Sequence, residues 1–314
     1  MNVPARLAAF ALVLGLAFLR EAFDTRVRTA EEIGERLALP LLGRVPKPPK
    51  KLQKDDRLVM LADPTGVQAE AFRILRTNLD FARLDRDVQT VMVTSAVEQE
   101  GKSTTVANLA LTLARAGERV ILADFDLRRP YLERFFDLHG PGLTDVALGQ
   151  ANLDDALAPI AITSSARSNG SLVGAYESLR SEGESPGRLQ VLPCGPLPPD
   201  PGEFVAGRRV EMILEELRER ASIVLLDTPP VLHVGDAMTL STKVDGLVVV
   251  TRMNVVRRHM LAELRRHLAA STTIKLGFIL TGAVAHEDYG YGYGYSQRPK
   301  PQATRRERKQ RELA

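Results

Sequence analysis

Short apolar runs alternate along the chain with segments whose apolar residues recur every three or four positions. The runs predict buried strands at Val88 to Thr94, Val120 to Ala123, Leu189 to Leu192, Ile223 to Leu226, Leu247 to Thr251 and Leu276 to Leu280. The helical spacing predicts amphipathic helices at Val67 to Ala82, from Lys102 onward, at Glu203 to Arg220 and at Val256 to Ala270. This alternation indicates an α/β fold with a doubly wound, mostly parallel sheet and helices on both faces.

The N-terminus is a separate, strongly apolar segment. An uninterrupted apolar run extends from Leu7 to Leu19, between Arg6 and Arg20. Because a membrane span needs about 20 residues, the run is short unless Arg6 snorkels. We predict a transmembrane or anchor helix over residues 1–22, with the arginines after it on the cytoplasmic side. The alternatives are a signal peptide, which here lacks a clear cleavage site before Arg20, and a buried or interfacial helix.

Composition divides the rest of the chain. Residues 23–52 predict a juxtamembrane segment and a linker, because Pro46 to Lys51 is rich in Pro and Lys. We expect the main folded domain at 53–285, with a mobile loop at 163–188 where apolar periodicity is missing. Residues 286–314 carry tyrosines and then a basic stretch, too polar to fold alone, and predict a disordered tail.

Charge and cysteine content exclude several classes of function. The net charge is only +3 over 314 residues, so the whole chain lacks the basic excess of a nucleic-acid-binding protein. Cys194 is the single cysteine, which excludes an intrachain disulfide. Cys and His residues are not clustered at metal-ligand spacing, so we predict no structural zinc.

The segment Ala96–Ser103 lies between a predicted strand and a predicted helix and ends in Gly-Lys-Ser. The backbone N–H groups of such a turn, with the positive end of the helix dipole, bind nucleotide phosphates. Lys102 reaches the phosphates and the Ser103 hydroxyl ligates Mg²⁺. The usual pattern begins with Gly, and here Ala96 stands in that position.

Carboxylates end two of the predicted strands. Asp124 and Asp126 follow the first, and Asp227 follows the second. Residues i and i+2 of an extended segment point the same way, so Asp124 and Asp126 are expected to face one site. Ligands bind at the carboxyl ends of parallel strands, and Mg²⁺ prefers oxygen ligands. The alternative for any one such Asp is a helix cap or a turn residue.

Together these motifs resemble the Walker A, A′ and B motifs of the bacterial tyrosine kinases of capsular and exopolysaccharide biosynthesis. The segments that carry the resemblance are Gly101 to Thr105, Asp124 to Pro130 and Asp227 to Val231, with Asp236 and Ala237. Glu70 to Arg76 is similar to the family's Glu-x-x-Arg-x-x-Arg helix, and Leu192 to Pro201 resembles its proline-rich turn. Phe23 to Thr29 and Leu41 to Pro46 look like the segment after its second transmembrane helix.

The resemblance implies a protein-tyrosine autokinase that uses ATP and Mg²⁺. It implies ATP and phosphate binding by Ala96, Glu100, Gly101, Lys102, Ser103 and Thr104, and metal binding by Ser103, Asp126 and Asp227. The catalytic set it implies is Lys102, Asp124, Asp126 and Asp227, with Asp124 as the candidate that deprotonates the acceptor tyrosine.

The same resemblance implies partners and a location. Tyr289, Tyr291, Tyr293 and Tyr295 match an autophosphorylation cluster, and Glu70, Arg73 and Arg76 match a helix that builds a ring-type homo-oligomer. A membrane polysaccharide co-polymerase or activator subunit and a tyrosine phosphatase are the implied partners. The implied location is the inner (plasma) membrane, with the catalytic domain cytoplasmic and no nucleic acid bound. A sticky low-complexity tail and plain intrahelical pairs are the simpler alternatives.

Several positions depart from the family pattern. Gln99 stands in place of a glycine, and a left-handed conformation there would cost about 1 kcal/mol. Glu98 adds a carboxylate near the phosphates, and Thr281 replaces an asparagine associated with adenine. A nucleotide-binding regulator of polysaccharide export that does not transfer phosphate is therefore an alternative. A partitioning-type P-loop ATPase is another, although its second lysine is here Val97.

Overall fold

The computed structural model describes residues 10, 12–15, 25–54, 56–84, 86–162 and 188–283. Residues 163–187 of the loop predicted at 163–188, the tail at 286–314 with its tyrosines, and most of the predicted anchor at 1–22 lie outside the described residues. Where the chain is described, none of its helices combines the length and apolar character that a membrane crossing requires.

The sheet has eight strands in the order β1-β8-β7-β2-β6-β3-β5-β4. Neighbouring strands are parallel except for β4 and β5, which confirms the mostly parallel sheet. The strands are β1 (Leu41–Pro46), β2 (Thr90–Ser95), β3 (Arg119–Asp124), β4 (Ala158–Ile160), β5 (Arg188–Leu192), β6 (Ile223–Asp227), β7 (Gly246–Arg252) and β8 (Ile274–Ala283).

Helices cover both faces of this sheet. In the described ranges they are α1 (Ala30–Leu37), α2 (Lys50–Lys54), α3 (Val59–Ala62), α4 (Val67–Arg83), α5 (Lys102–Arg115), α6 (Leu132–Phe136), α7 (Leu143–Leu148), α8 (Leu153–Ala156), α9 (Pro201–Ala206), α10 (Arg208–Arg220), α11 (Asp236–Ser241) and α12 (Arg258–Ala270).

Two apolar cores form because side chains alternate along the strands. Val91 and Val93 of β2 pack with α4 and α5 on one face, where Phe72 and Leu109 are buried. Met92, between the two valines, packs on the opposite face with α10 and α12. Every residue of β2 is buried, so the strand that precedes the Gly-Lys-Ser turn is fixed from both sides.

The sheet begins earlier than the predicted domain start at residue 53. Strand β1 pairs in parallel with β8, from Leu41 opposite Phe278 to Pro46 opposite Ala283. The segment is short and ends in a proline, which is tolerated because β1 is an edge strand. Gly43 lets the strand approach α4, since a Cβ there would lie 3.3 Å from the Cβ of Leu75. Such long-range pairing leaves no local signal, so composition alone predicts a linker here.

Two predicted helices also have different bounds. Glu203 to Arg220 is divided into α9 and α10 at Gly207, whose backbone is extended; glycine has little helix propensity. Helix α12 begins at Arg258 instead of Val256, because the preceding residues pair with the N-terminal segment. The N–H of Val27 donates to the Val256 carbonyl at 3.0 Å, and the N–H of Arg258 donates to the Thr25 carbonyl at the same distance.

Substitution of Phe72 tests the packing of α4 against the sheet. Its side chain is 2% exposed, so Phe72→Ala should lower the free energy of unfolding by about 3–5 kcal/mol. Phe81→Ala is the matched control, because Phe81 lies on the same helix but is 71% exposed; its change should stay within about 0.5 kcal/mol. Urea unfolding measures both, and similar losses for the two variants would contradict this packing.

Candidate nucleotide-binding site

The segment Ala96–Ser103, here called the P-loop, connects β2 to α5 as predicted. Gly101 caps the helix with φ of 86°, a left-handed conformation that only glycine adopts at little cost. Helix α5 then starts at Lys102, so its free N–H groups and the positive end of its dipole face the loop. This geometry makes the P-loop an anion-binding turn.

Gln99 stands where the family has a glycine, and its backbone is in the left-handed conformation. Its φ is 63°, which costs about 1 kcal/mol or more for a residue with a side chain. The next residue, Glu100, is 1% exposed. Burial raises the pKa of the Glu100 carboxyl to about 7, against the backbone hydrogen bonds it accepts and the nearby charge of Arg252.

Lys102 lies between two carboxylates instead of extending into solvent. Its Nζ is 2.5 Å from Oδ1 of Asp227 and 3.3 Å from Oδ2 of Asp126. The Ser103 hydroxyl is 3.4 Å from the same nitrogen. Burial disfavours the charged ammonium, but the two carboxylates outweigh it and raise the Lys102 pKa. The cluster therefore places three other predicted site residues around the Lys102 ammonium.

The donor set at this cluster fits a hard divalent cation such as Mg²⁺. Oδ2 of Asp227 is buried and has no hydrogen-bond partner, so it has an unused acceptor position. The Ser103 side chain interacts with the same carboxylate group. The described ranges contain no group of three or more His, Cys, Asp or Glu side chains arranged to hold a metal. A few protein oxygens, completed by phosphate and water, form the arrangement typical of Mg²⁺ sites.

Asp124 is buried, and its carboxylate accepts hydrogen bonds from the backbone of the adjoining A′ loop (Phe125–Pro130) and of the two residues that follow it. Oδ1 accepts the N–H of Asp126 at 3.1 Å, and Oδ2 accepts those of Tyr131 and Leu132 at 3.0 and 3.1 Å. Burial and the charge of Asp227 raise the Asp124 pKa to about 8. A carboxyl group so placed organises the backbone that follows β3.

Asp124 and Asp126, predicted to face one site, both lie near the Lys102 charge but differ in their access to a cleft beside the P-loop. Strand β3 ends at Asp124, and the chain turns before Asp126. The alternation of an extended strand no longer applies beyond that residue. Asp126 lines this cleft beside the P-loop. Asp124 is fully buried and is not one of the residues that line it.

That cleft has a volume of about 270 Å³ and includes residues that the motifs did not mark. These are Tyr131, between the A′ loop and α6, Phe135 of α6, and His233 after β6, and the cleft is also lined by Arg129 and Pro229 from the motif segments. Arg129 forms an ion pair with Glu98 across the mouth of the cleft. The Tyr131 ring stacks edge-on with Phe135 at a centroid distance of 5.0 Å.

A second cavity of about 190 Å³ adjoins the first through Glu100, Gly101 and Thr104. Its other walls come from the end of β1, from α4 and from β8, including Thr281. The Thr281 hydroxyl donates to the Glu100 carbonyl at 2.6 Å, so this residue contacts the P-loop itself. The two cavities therefore share a wall formed by Glu100, Gly101 and Thr104.

Glu70, Arg73 and Arg76, the predicted oligomerisation residues, lie on α4. Arg73 pairs with Glu70 at 2.5 Å, and its guanidinium also donates to the Pro64 carbonyl. Arg76 lies 3.9 Å from Asp80. These are the intrahelical pairs of the simpler alternative. The same helix exposes Val67 and Phe81, which are 83% and 71% accessible.

Comparison with known proteins defines the class first. Residues 91–282 match the family model described as the CobQ/CobB/MinD/ParA nucleotide binding domain. This range contains the P-loop, both acidic strand ends and the Lys102 cluster. The class is thus a P-loop nucleotide-binding domain, in agreement with the fold and the site.

The relatives narrow the class to one family. The chain is 33% identical to the tyrosine-protein kinase YwqD of Bacillus subtilis over 236 residues, which is 74% of this chain and 90% of that protein. It is 30% identical to the tyrosine-protein kinase ptk of Acinetobacter johnsonii, over 76% of this chain but only 30% of that longer protein. The solved kinase domain of the Escherichia coli tyrosine kinase ETK superposes with a TM-score of 0.68 at 25% identity, covering 85% of this chain and 99% of that domain. The chain belongs to the bacterial tyrosine kinase family.

The raised pKa of Glu100 predicts a pH dependence of stability. Its value of about 7 in the folded protein exceeds the ordinary 4.5, so the folded state binds a proton more readily than the unfolded state. Stability from this group is present below pH 4.5 and is lost as the pH rises through 7. Glu100→Gln should remove this loss, which approaches about 1.4 kcal/mol per pH unit.

The measurement is urea unfolding of the wild type and the variant from pH 5 to pH 8. Glu98→Gln is the matched control, because Glu98 is an exposed carboxylate in the same loop. The wild type should lose stability relative to Glu100→Gln as the pH rises toward 7. A constant difference over this range would show that the carboxyl titrates normally.

Proposed function

We propose that this chain is an ATP- and Mg²⁺-dependent protein-tyrosine autokinase that regulates the polymerisation and export of a capsular polysaccharide or exopolysaccharide. The observation that carries the proposal is the buried Lys102 ammonium between Asp126 and Asp227 beside Ser103. Membership of the tyrosine kinase family supports tyrosine as the acceptor.

A protein catalyses phosphoryl transfer mainly by positioning the reactants and by neutralising the negative charge of the phosphates. The Lys102 ammonium would leave its carboxylates and neutralise the β- and γ-phosphates, which the P-loop N–H groups hold. Ser103 and Asp227 would hold Mg²⁺, with Asp126 in direct contact or through water. The bound ion would supply further positive charge to the transferring phosphate.

The reaction itself then needs one exchange of bonds. The acceptor tyrosine oxygen bonds to the γ-phosphorus as the bond from that phosphorus to the β,γ-bridging oxygen breaks, and ADP leaves. The hydroxyl proton passes to a carboxylate of the site. We propose Asp126 for this role, since it lines the cleft, whereas Asp124 is buried and accepts three backbone N–H groups.

The acceptors we propose are Tyr289, Tyr291, Tyr293 and Tyr295. Glycine alternates with them along the sequence, so we propose that successive hydroxyls enter a neighbouring subunit's site. A ring-type homo-oligomer built through α4 would bring tail and site together. A membrane co-polymerase or activator subunit would switch the kinase on, and a tyrosine phosphatase would reverse its reaction, at the cytoplasmic face of the inner membrane.

Incubation with γ-labelled ATP and Mg²⁺, with phosphosites mapped by mass spectrometry, tests the proposal. We expect phosphotyrosine in the stretch from Tyr289 to Tyr295. Lys102→Met should lower the initial rate at least about 100-fold, because it removes the cation that meets the transferring phosphate. Lys243→Met is the control, since Lys243 pairs with Glu211 away from the cleft.

Two outcomes would reject tyrosine transfer. Absence of phosphotyrosine when the membrane activator is supplied would favour the regulator that only binds nucleotide. Release of free phosphate without phosphotyrosine would favour a P-loop ATPase.

The proposed ring has a test of its own. Glu70→Ala combined with Arg73→Ala should shift the full chain to lighter species in sedimentation velocity, because both substitutions change the proposed contact face of α4. The matched control removes one acid and one base from α1, as Glu32→Ala with Arg36→Ala, a pair at 3.0 Å. An unchanged profile for the α4 variant would refute the ring helix.

A further inference from the structure

The P-loop is tied to the ends of two strands at the residues where its backbone is strained. The N–H of Arg252, the last residue of β7, donates to Oε1 of Glu100 at 3.0 Å. The Arg252 guanidinium donates to the Gln99 carbonyl at 2.9 Å. The backbone and the side chain of one residue therefore hold two consecutive residues of the loop.

The Glu100 carboxylate also links the end of β7 to another residue of the P-loop. Its second oxygen, Oε2, accepts the N–H of Val97 at 2.8 Å, so the carboxylate bridges the beginning of the P-loop to the end of β7. The side chain is buried and therefore does not present its charge to solvent. The hydroxyl of Thr281 holds the Glu100 carbonyl from β8.

A restraint is needed here because of the loop conformation. Gln99 has φ of 63° and Gly101 has φ of 86°, so two of three consecutive residues are left-handed. Glycine adopts this region freely, but a residue with a Cβ is strained there. Released from its contacts, Gln99 would relax to negative φ and rotate the adjoining peptide N–H groups away from the phosphate position.

We propose that Glu100 and Arg252 are positioning residues that hold Gln99 in its left-handed conformation and so fix the P-loop for the β-phosphate of a bound nucleotide. The proposal requires nucleotide binding alone, so it stands whether or not phosphate is passed to tyrosine. Glu100 acts through its buried carboxylate, and Arg252 acts from 152 positions further along the chain.

The test measures the affinity of the full chain for ADP and AMP, with Mg²⁺, by titration calorimetry. Glu100→Ala should weaken ADP binding about tenfold and AMP binding much less, because AMP lacks the β-phosphate. In a Gln99→Gly background the same substitution should weaken ADP binding less than about threefold, since glycine needs no restraint to stay left-handed.

This rescue distinguishes positioning from a merely structural role. Equal losses of ADP affinity in the wild-type and Gln99→Gly backgrounds would overturn the proposal, and so would equal losses for ADP and AMP. Glu211→Ala is the control for removing a carboxylate, because Glu211 pairs with Lys243 away from the cleft. Its ADP affinity should not fall.

Arg252→Ala provides a second route if Glu100→Ala does not fold. It keeps the buried carboxylate and the N–H of residue 252, and removes the guanidinium with its hydrogen bond to Gln99 and its charge near Glu100. Its loss of ADP affinity should again shrink in the Gln99→Gly background. Arg258→Ala, which removes an ion pair with Glu32 at 2.7 Å, is its matched control. A loss of the same size in both backgrounds, or the same loss for Arg258→Ala, would count against the restraint.

Discussion

The site depends on one constraint, the charge of a buried lysine. An ion in a protein interior costs several kcal/mol unless opposite charge and hydrogen bonds surround it. Lys102 meets this condition only because Asp126 and Asp227 lie within 3.3 Å of its nitrogen. A phosphate chain is the kind of ligand that can replace those carboxylates without leaving the ammonium unpaired. The buried ammonium of Lys102 therefore needs a negatively charged partner both in the folded protein alone and when a nucleotide is bound.

The parallel sheet brings this interaction together. Strand β6 lies between β2 and β3, and Asp227 is paired with both Val93 and Asp124. Two ionised carboxylates side by side in a buried sheet repel each other, and here their oxygens have different partners. Asp227 meets the lysine, while Asp124 turns its oxygens to the backbone of the A′ loop. Of these three aspartates, Asp126, further along the loop, is the one that lines the cleft.

Local sequence predicted the parts of this site that are built locally. The P-loop, the strand before it and the acidic strand ends all follow from short patterns, and so does the cost at Gln99, which depends only on a missing glycine. Asp124 could not be placed in this way, because its orientation depends on where β3 ends. Strand β1 and Arg252 are recognisable only through partners far along the chain, namely β8 and the P-loop. Tyr131 and His233 line the cleft through tertiary packing that no spacing indicates.

The most direct measurement is a crystal structure of the full chain with Mg²⁺ and a non-hydrolysable ATP analogue. We expect a metal held by the Ser103 hydroxyl and Asp227, with the Lys102 ammonium moved from the carboxylates to the phosphates. We also expect Asp124 to keep its backbone hydrogen bonds. A triphosphate bound elsewhere, or one bound at the P-loop with Lys102 still paired to Asp126 and Asp227, would contradict this mechanism.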